Sequence, residues 1–340
     1  MVSYESIAIV VPSLDRQDFL LRTVQYYLDL NLPLNLFIGD STFEKLAFTP
    51  FLLNTIAQSS LNLHYFHLVG LDDRQAITFL SSQACDCGID YICFHGDDDY
   101  IIPETLLYCS SFLADNSDYA TAQGIASTIS LDRDGPYGAL KNISNYWLTP
   151  SLHARCPLQR LSDFVHTYFV LQFSVHRTSE FLDACKFYQY VPDRNWGELY
   201  HCYCFALQGK SFFVNQLFLI RNVHSSISHD SFSTWTESLS FARGMTFVLD
   251  KLSSKFCISS SDQALLETAV FTHLHSTRVR KSSGRNLFKI YLRAFLSRLR
   301  AFSIRLIFFI DHRVHSLPLP VHSFLYNYRR IHRSYSLPSE

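Results

Sequence analysis

Between Ile7 and Asn116 short apolar runs alternate with longer stretches of helical periodicity, and few folds accept that alternation other than parallel strands joined by helices that cover the sheet. Strands are expected at Ile7–Val11, Leu34–Gly39, Leu61–His67 and Asp90–His95. Helices are expected at Arg16–Leu30, Lys45–Ser59, Asp72–Cys87 and Pro103–Asn116, where Pro103 suits a first helical turn. Connections of a few residues make this one domain rather than a string of modules. Tyr119–Ser130 reads as a further strand pair or an edge, and Leu131–Pro150, with Asp134-Gly135-Pro136, as a long surface loop.

From Leu158 the pattern gives a helix, a strand near Val170–His176, a helix at Thr178–Tyr190, another from Asp193 that stops before Gly209, and an apolar strand at Ser211–Ile220. Beyond His229 nearly everything is helical: Trp235–Leu252, Ser259–Thr277, Asn286–Ile310 and Val321–Arg333. Charge divides the chain more sharply than its total of −1 suggests. From Arg278 onward there are 13 Lys/Arg against Asp311 and Glu340, or +11, while the preceding body carries 16 basic and 28 acidic residues, or −12. This excludes a uniformly basic nucleic-acid binder and gives an acidic body with a basic appendage. The expected division is 1–230 as the catalytic domain, with halves 1–117 and 118–230, and 231–340 as a helical extension holding a basic amphipathic segment at 286–333.

Nine cysteines without framework spacing fit a reducing compartment. No stretch reaches the roughly 18 apolar residues of a membrane span, and the start lacks the pattern of a secretory peptide. A cytoplasmic location follows, with contact to the inner face of the cytoplasmic membrane through the tail. Phe288, Tyr291, Leu292, Phe295, Leu299, Phe302, Leu306 and Phe309 share one helical face, flanked by Lys289, Arg293 and Arg300 on one side and Arg298 and Arg305 on the other. Such a face fits an anionic lipid surface, or equally a packed helix.

Several chemistries are ruled out. No G-x-G-x-x-G follows the first strand, and Gly209-Lys210-Ser211 lacks the earlier glycine of a phosphate loop. There is no H-E-x-x-H or G-x-S-x-G, and Cys85/Cys87 and Cys202/Cys204 are spaced so that a helix points each pair apart. What remains is Asp97-Asp98-Asp99, directly after Tyr91-Ile92-Cys93-Phe94-His95 and before a proline-led helix. Adjacent carboxylates repel strongly when desolvated, so a cluster at the carboxyl end of a strand points to a divalent cation, the alternative being a solvated acidic turn that caps the helix at Pro103. All-oxygen donors suit Mg²⁺ or Mn²⁺, ions that also carry phosphates.

Ile7–Arg16, ending in Pro12-Ser13-Leu14-Asp15-Arg16, resembles the opening strand and P-[TS]-x-[ND]-R turn of family 2-like glycosyltransferases, and Tyr91–Pro103 is similar to their Y-I-x-x-x-D-D-D-x-x-x-P acidic motif. The likeness runs over about residues 5–225 and is densest in the first 115. It implies an α/β GT-A fold, a three-layer sandwich on a mainly parallel sheet with a helical C-terminal extension. It also implies a nucleotide-diphosphate sugar donor, Mg²⁺ or Mn²⁺, and transfer with inversion to a glycan or lipid-linked acceptor in surface polysaccharide assembly.

Position by position, the resemblance puts Pro12, Ser13 and Arg16 in the turn lining the nucleotide pocket, Asp40 against the base and Arg74 against the nucleotide; read without it, Asp40 can instead cap the next segment and Arg74 can pair with Asp72 or Asp73. Asp97 and Asp98 flank ribose and metal, and Asp99 is a direct metal ligand. Glu198 resembles the family's base, with Asp193 in reserve, and Trp196 is either an acceptor platform or core. His224 is placed to complete the metal shell, with His229 as its alternate and Arg221 near the leaving phosphates, while His95 packs at the strand end. Two positions depart from the pattern: Leu14 stands where an aromatic residue is common, and Gly96 where many relatives have their first aspartate. The rival readings are a nucleotidyltransferase, disfavoured by the glycine-free turn Pro12–Arg16, and a non-catalytic scaffold that binds partners through its tail.

Overall fold

The computed structural model describes residues 2–147, 150–224 and 235–282. The chain forms a nine-stranded sheet in the order β3-β2-β1-β4-β8-β6-β9-β5, with β7 paired to β6. The strands are β1 (Ile7–Ser13), β2 (Asn35–Asp40), β3 (Asn62–His67), β4 (Tyr91–Phe94), β5 (Asp99–Ile101), β6 (Tyr119–Leu131), β7 (Leu140–Trp147), β8 (Val175–Arg177) and β9 (Lys210–Asn222). The helices are α1 (Gln17–Leu30), α2 (Pro50–Gln58), α3 (Asp73–Asp86), α4 (Pro103–Asp115), α5 (Pro157–Thr167), α6 (Thr178–Tyr188), α7 (Arg194–Gln208), α8 (Leu239–Lys255) and α9 (Gln263–Ser282). The first half is parallel, with β1 between β2 and β4. β1 is buried on both faces, which is why it reads as an unbroken apolar run. The second half is mixed: β6 runs parallel to β9 and antiparallel to β8 and β7.

Several expectations change: the strand expected near Val170–His176 is a 3-10 turn at Leu171–Phe173 followed by β8, and the helix expected from Lys45 begins at Pro50. Tyr119–Ser130 is a single interior strand rather than an edge, and the expected loop at Leu131–Pro150 contains β7, paired along the outer half of β6. Asp99–Ile101 leaves the acidic turn as a strand of its own and pairs with β9.

That short strand governs the shape of the sheet. β4 and β5 are joined by a tight turn, closed by Asp99 N–H donating to Gly96 O at 3.1 Å, yet β5 lies four strands beyond β4 in the sheet order. At about 4.8 Å per strand a flat sheet would separate them by roughly 19 Å, so the sheet must double back. β6 and β9 slip register around Gly124, where a Cβ would run into the carbonyl oxygen of Gln216, and such irregularities bend a strand. The bend returns Asp99 and β9 to the carboxyl ends of β1 and β4.

α8 and α9 join the same core: Val248, Leu252, Leu266 and Val270 are fully buried. Trp196 of α7 is buried against Gly244 of α8 and donates its indole N–H to Phe241 O at 2.9 Å, so it is a core anchor rather than an exposed platform. Among the described residues no helix is long and apolar enough to cross a membrane. His229 and the basic amphipathic segment lie outside the described residues.

Candidate active site

Beyond Val10, β1 no longer pairs with β4, so Pro12 costs no ladder bond on that side. Ser13, the last residue of β1, faces Asp40 across the β1–β2 register. The chain then reverses through Asp15, a non-glycine residue in the left-handed region (φ 55°) whose N–H is taken by Thr42 Oγ1 at 2.8 Å. This reversal puts Arg16 at the head of α1, facing the turn that follows β4.

In that turn Asp97 and Asp98 are almost wholly buried, and Asp99 opens β5 buried as well. Ser13 Oγ donates to Asp97 Oδ2 at 2.7 Å, and Thr23 Oγ1 of α1 donates to the Asp97 carbonyl at 2.6 Å. Arg16 Nη2 lies 3.1 Å from Asp97 Oδ1 and 2.7 Å from Asp98 Oδ2. His224 Nε2 stands 2.8 Å from that same Asp98 oxygen and 3.0 Å from Arg16 Nη2, its ring stacked on Phe19. Arg221 Nε pairs with Asp99 Oδ2 at 3.1 Å and its guanidinium covers Phe173. Gly96 earns its place by geometry, since a Cβ there would come within 2.7 Å of Asp98 Oδ1.

The electrostatics follow from burial. Desolvation pushes Asp97 and Asp99 above the usual carboxylate range despite Arg16 and Arg221 beside them. Asp98 is equally desolvated, but the hydrogen bond from His224 and the charge of Arg16 hold it low. His95, packed beneath the turn, is kept neutral by burial, lowered to about 4, with its ring nitrogens engaged by Tyr27 Oη and Gly96 O, both at 2.6 Å.

The structure therefore brings Ser13, Arg16, Asp97, Asp98, Asp99, Arg221 and His224 together at one end of the sheet. Asp40 lies beside them but is fully buried. Its oxygens accept from Tyr65 Oη (2.8 Å), Gln17 Nε2 (3.2 Å) and Thr42 N–H (3.0 Å), so it shapes the loop after β2. Leu14 and Phe43 project into solvent from the loops after β1 and β2. Phe43, which the sequence reading did not single out, is the one aromatic side chain so exposed on those two loops.

Three other expected residues stand in the helical part. Arg74 Nη2 pairs with Asp72 at 2.5 Å and Nη1 donates to Val191 O at 2.5 Å, tying α3 to the entry of α7. Asp193 caps α7 through Trp196 N–H at 2.8 Å and also accepts from Trp235 Nε1 at 3.0 Å. Glu198, on the next turn, accepts a 2.6 Å hydrogen bond from Tyr168 Oη, whose proton is held firmly by burial and the adjacent carboxylate. Among the described residues none of the three is bonded to the aspartate cluster.

The donor chemistry fits a hard divalent ion: carboxylates from Asp97, Asp98 and Asp99 with the imidazole of His224, and a buried Asp99 Oδ1 that has no hydrogen-bond partner. Among the described residues, however, no three such groups are already set in a ligating arrangement.

No family model matches the sequence, and no curated protein matches it. Solved structures do share its fold. S. aureus TarS is similar with a TM-score of 0.52 at 10% identity, over 78% of this chain and 43% of that one. TarS 1–349, crystallised in complex with UDP-GlcNAc, is similar with a TM-score of 0.51 at 10% identity, over 79% of this chain and 72% of that one. The chain thus spans less than half the length of the larger TarS structure, and at this identity the likeness establishes a common α/β fold.

Proposed function

We propose that the chain is a nucleotide-sugar glycosyltransferase that moves a sugar, with inversion, from a nucleoside-diphosphate donor to a glycan or lipid-linked acceptor. The observation that carries this reading is the gathering of three buried aspartates with Ser13, Arg16, Arg221 and His224 at the carboxyl ends of β1 and β4, the edge where open α/β sheets place ligands. A fold shared with a protein that binds UDP-GlcNAc supports it.

Charge explains why Mg²⁺ or Mn²⁺ belongs in this reading. A donor diphosphate brings further negative charge to three carboxylates that, among the described residues, are paired with the two guanidinium groups of Arg16 and Arg221, and burying such an imbalance is prohibitive. Asp98, Asp99 and His224 would hold the ion, which supplies neutralisation of the diphosphate when bound. Ser13 and Thr23 keep Asp97 in place, and Arg221 offers a fixed positive charge near the departing phosphates. Leu14 and Phe43 offer an apolar surface for the base. Glu198, oriented by Tyr168, removes the acceptor proton, and a single displacement at the anomeric carbon inverts it.

Isothermal titration of UDP-sugars with and without Mn²⁺, followed by product analysis, tests this reading. Binding that requires the ion, release of a nucleoside diphosphate, and loss of both binding and transfer in Asp98→Asn/Asp99→Asn are expected. Pyrophosphate as product, or full turnover by a folded double variant, refutes it.

A further inference from the structure

Glu198 does not stand alone on α7. Its Oε1 accepts from Tyr168 Oη at 2.6 Å, and the Tyr168 ring lies against the imidazole of His273, with ring centroids 4.3 Å apart. His273 Nδ1 is in turn 2.6 Å from Tyr203 Oη, and Tyr203 lies further along α7. The contacts therefore close a circuit. It leaves α7 at Glu198, passes through the end of α5 and the middle of α9, and returns to α7 at Tyr203.

Each link restrains a freedom that the neighbouring chain leaves open. Tyr168 follows the last helical residue of α5, so the helix does not fix its side chain; contacts with Phe164 and His273 do. The imidazole can turn about its own Cβ–Cγ bond, and the hydrogen bond with Tyr203 stops it. Burial holds the Tyr203 proton in place. Exposure falls along the circuit: Glu198 and Tyr168 are part-exposed, while His273 is 3% and Tyr203 0% exposed. The end that reaches solvent is the carboxylate, and the buried end is its anchor.

We propose that His273 is a positioning residue for sugar transfer: its ring, fixed by Tyr203, sets the Tyr168 phenol and through it the Glu198 carboxylate that takes the acceptor proton. This rests on the reading of Glu198 as the base. His273 touches no substrate and moves no proton; it limits where Tyr168 Oη can stand. It also makes α9, which lies in the stretch expected to be an extension, part of the catalytic unit, consistent with the packing of α9 along α5 and of α5 on α7.

The test is steady-state turnover of UDP-sugars by the full chain, beside calorimetric titration of the same donors. It compares the parent with His273→Phe, Tyr203→Phe, Tyr168→Phe, Glu198→Gln and the double variant His273→Phe/Tyr168→Phe. His273→Phe keeps a ring and loses the nitrogen, and Tyr203→Phe loses the partner hydroxyl. Each should lower kcat about fivefold with the donor dissociation constant unchanged, the loss expected when one hydrogen bond no longer orients a general base. With Tyr168→Phe costing about tenfold, the double variant should also lose about tenfold rather than about fiftyfold, because His273 acts only through the Tyr168 hydroxyl. The melting transition checks folding, and two independent single variants guard against one that fails to fold. An imidazole that is only part of the core gives the product of the single losses in the double variant, and that result overturns the proposal, as does parental kcat in the folded single variants. Both results leave Glu198 as the base. Parental kcat in Glu198→Gln, or no turnover of any UDP-sugar by the parent, overturns that reading and this inference with it.

Discussion

Asp99 and Arg221 are partners twice over: they face each other across the β5–β9 register, and Arg221 Nε also reaches Asp99 Oδ2 at 3.1 Å. The backbone pairing and the ion pair support each other, since the ladder fixes two side chains that would otherwise be costly to bring together. Asp99 is 1% exposed, so removal of its partner strands a buried carboxylate. Arg221→Met is expected to destabilise the fold by about 3 kcal/mol, and Asp99→Asn added to it should recover much of that loss. Urea denaturation of the two single variants and the double variant reads the cycle. Additive losses would mean that the pair contributes nothing beyond its separate parts.

Glu198 and Tyr168 make a second prediction, on catalysis. Glu198→Gln should lower kcat by about 10²–10⁴-fold, the range of a general base, while the dissociation constant for the donor stays unchanged. Tyr168→Phe removes one buried hydrogen bond to the carboxylate and should cost about tenfold in kcat. Steady-state kinetics beside donor titration separates the two effects. A change confined to donor affinity would remove Glu198 from the role of base.

The docking of α8 on α7 is tight enough to be tested by one methyl group. A Cβ at Gly244 would overlap the indole of Trp196, a fully buried side chain. Gly244→Ala should therefore lose about 1–3 kcal/mol through overpacking, even though alanine favours helices. A thermal melt unchanged or raised would show that the indole repacks freely.

One source of acid sensitivity is a buried histidine in the core. His176 sits between Phe181 and Phe205, and burial lowers it to about 3. The unfolded chain takes up a proton near the ordinary value of about 6.5 and the folded chain does not, so the associated stability is complete above that pH and is lost as pH falls toward 3. The loss is about 1.4 kcal/mol per pH unit from this one group. His176→Leu removes it, so the parent and variant stability curves should diverge below pH 6.5 and run parallel above it. Denaturant midpoints across pH 4–8 provide the comparison.

The alternation of the first half was legible because β1, β2 and β4, buried on both faces, leave continuous apolar runs, and β1 through β4 fall within a residue or two of their expected places. β5 was not legible. Asp-Tyr-Ile is too short to show a period, and its status as a strand depends on β9, which arrives more than a hundred residues later. β7 was hidden for a similar reason: Lys141 and Asn142 interrupt its apolar pattern, and its partner, not its composition, makes it a strand. The Asp97–Asp99 cluster, Ser13 and His224 were visible as residue types at the right chain positions. For Arg74 the sequence left two partners open, the nucleotide or Asp72/Asp73; the structure pairs it with Asp72 and the Val191 carbonyl, while Arg16 meets the aspartates, because of where α1 and α3 begin.

The doubled-back sheet sets an order on biosynthesis. As the chain leaves the ribosome, the first 115 residues can form the parallel half, yet Asp99 has neither a strand to pair with nor a counter-charge until β9 has emerged. The acidic turn is thus completed by a strand pairing of large sequence separation, which is slow to form. A nascent or truncated polypeptide ending before Lys210 would carry every aspartate of the cluster without the strand and the arginine that fix Asp99.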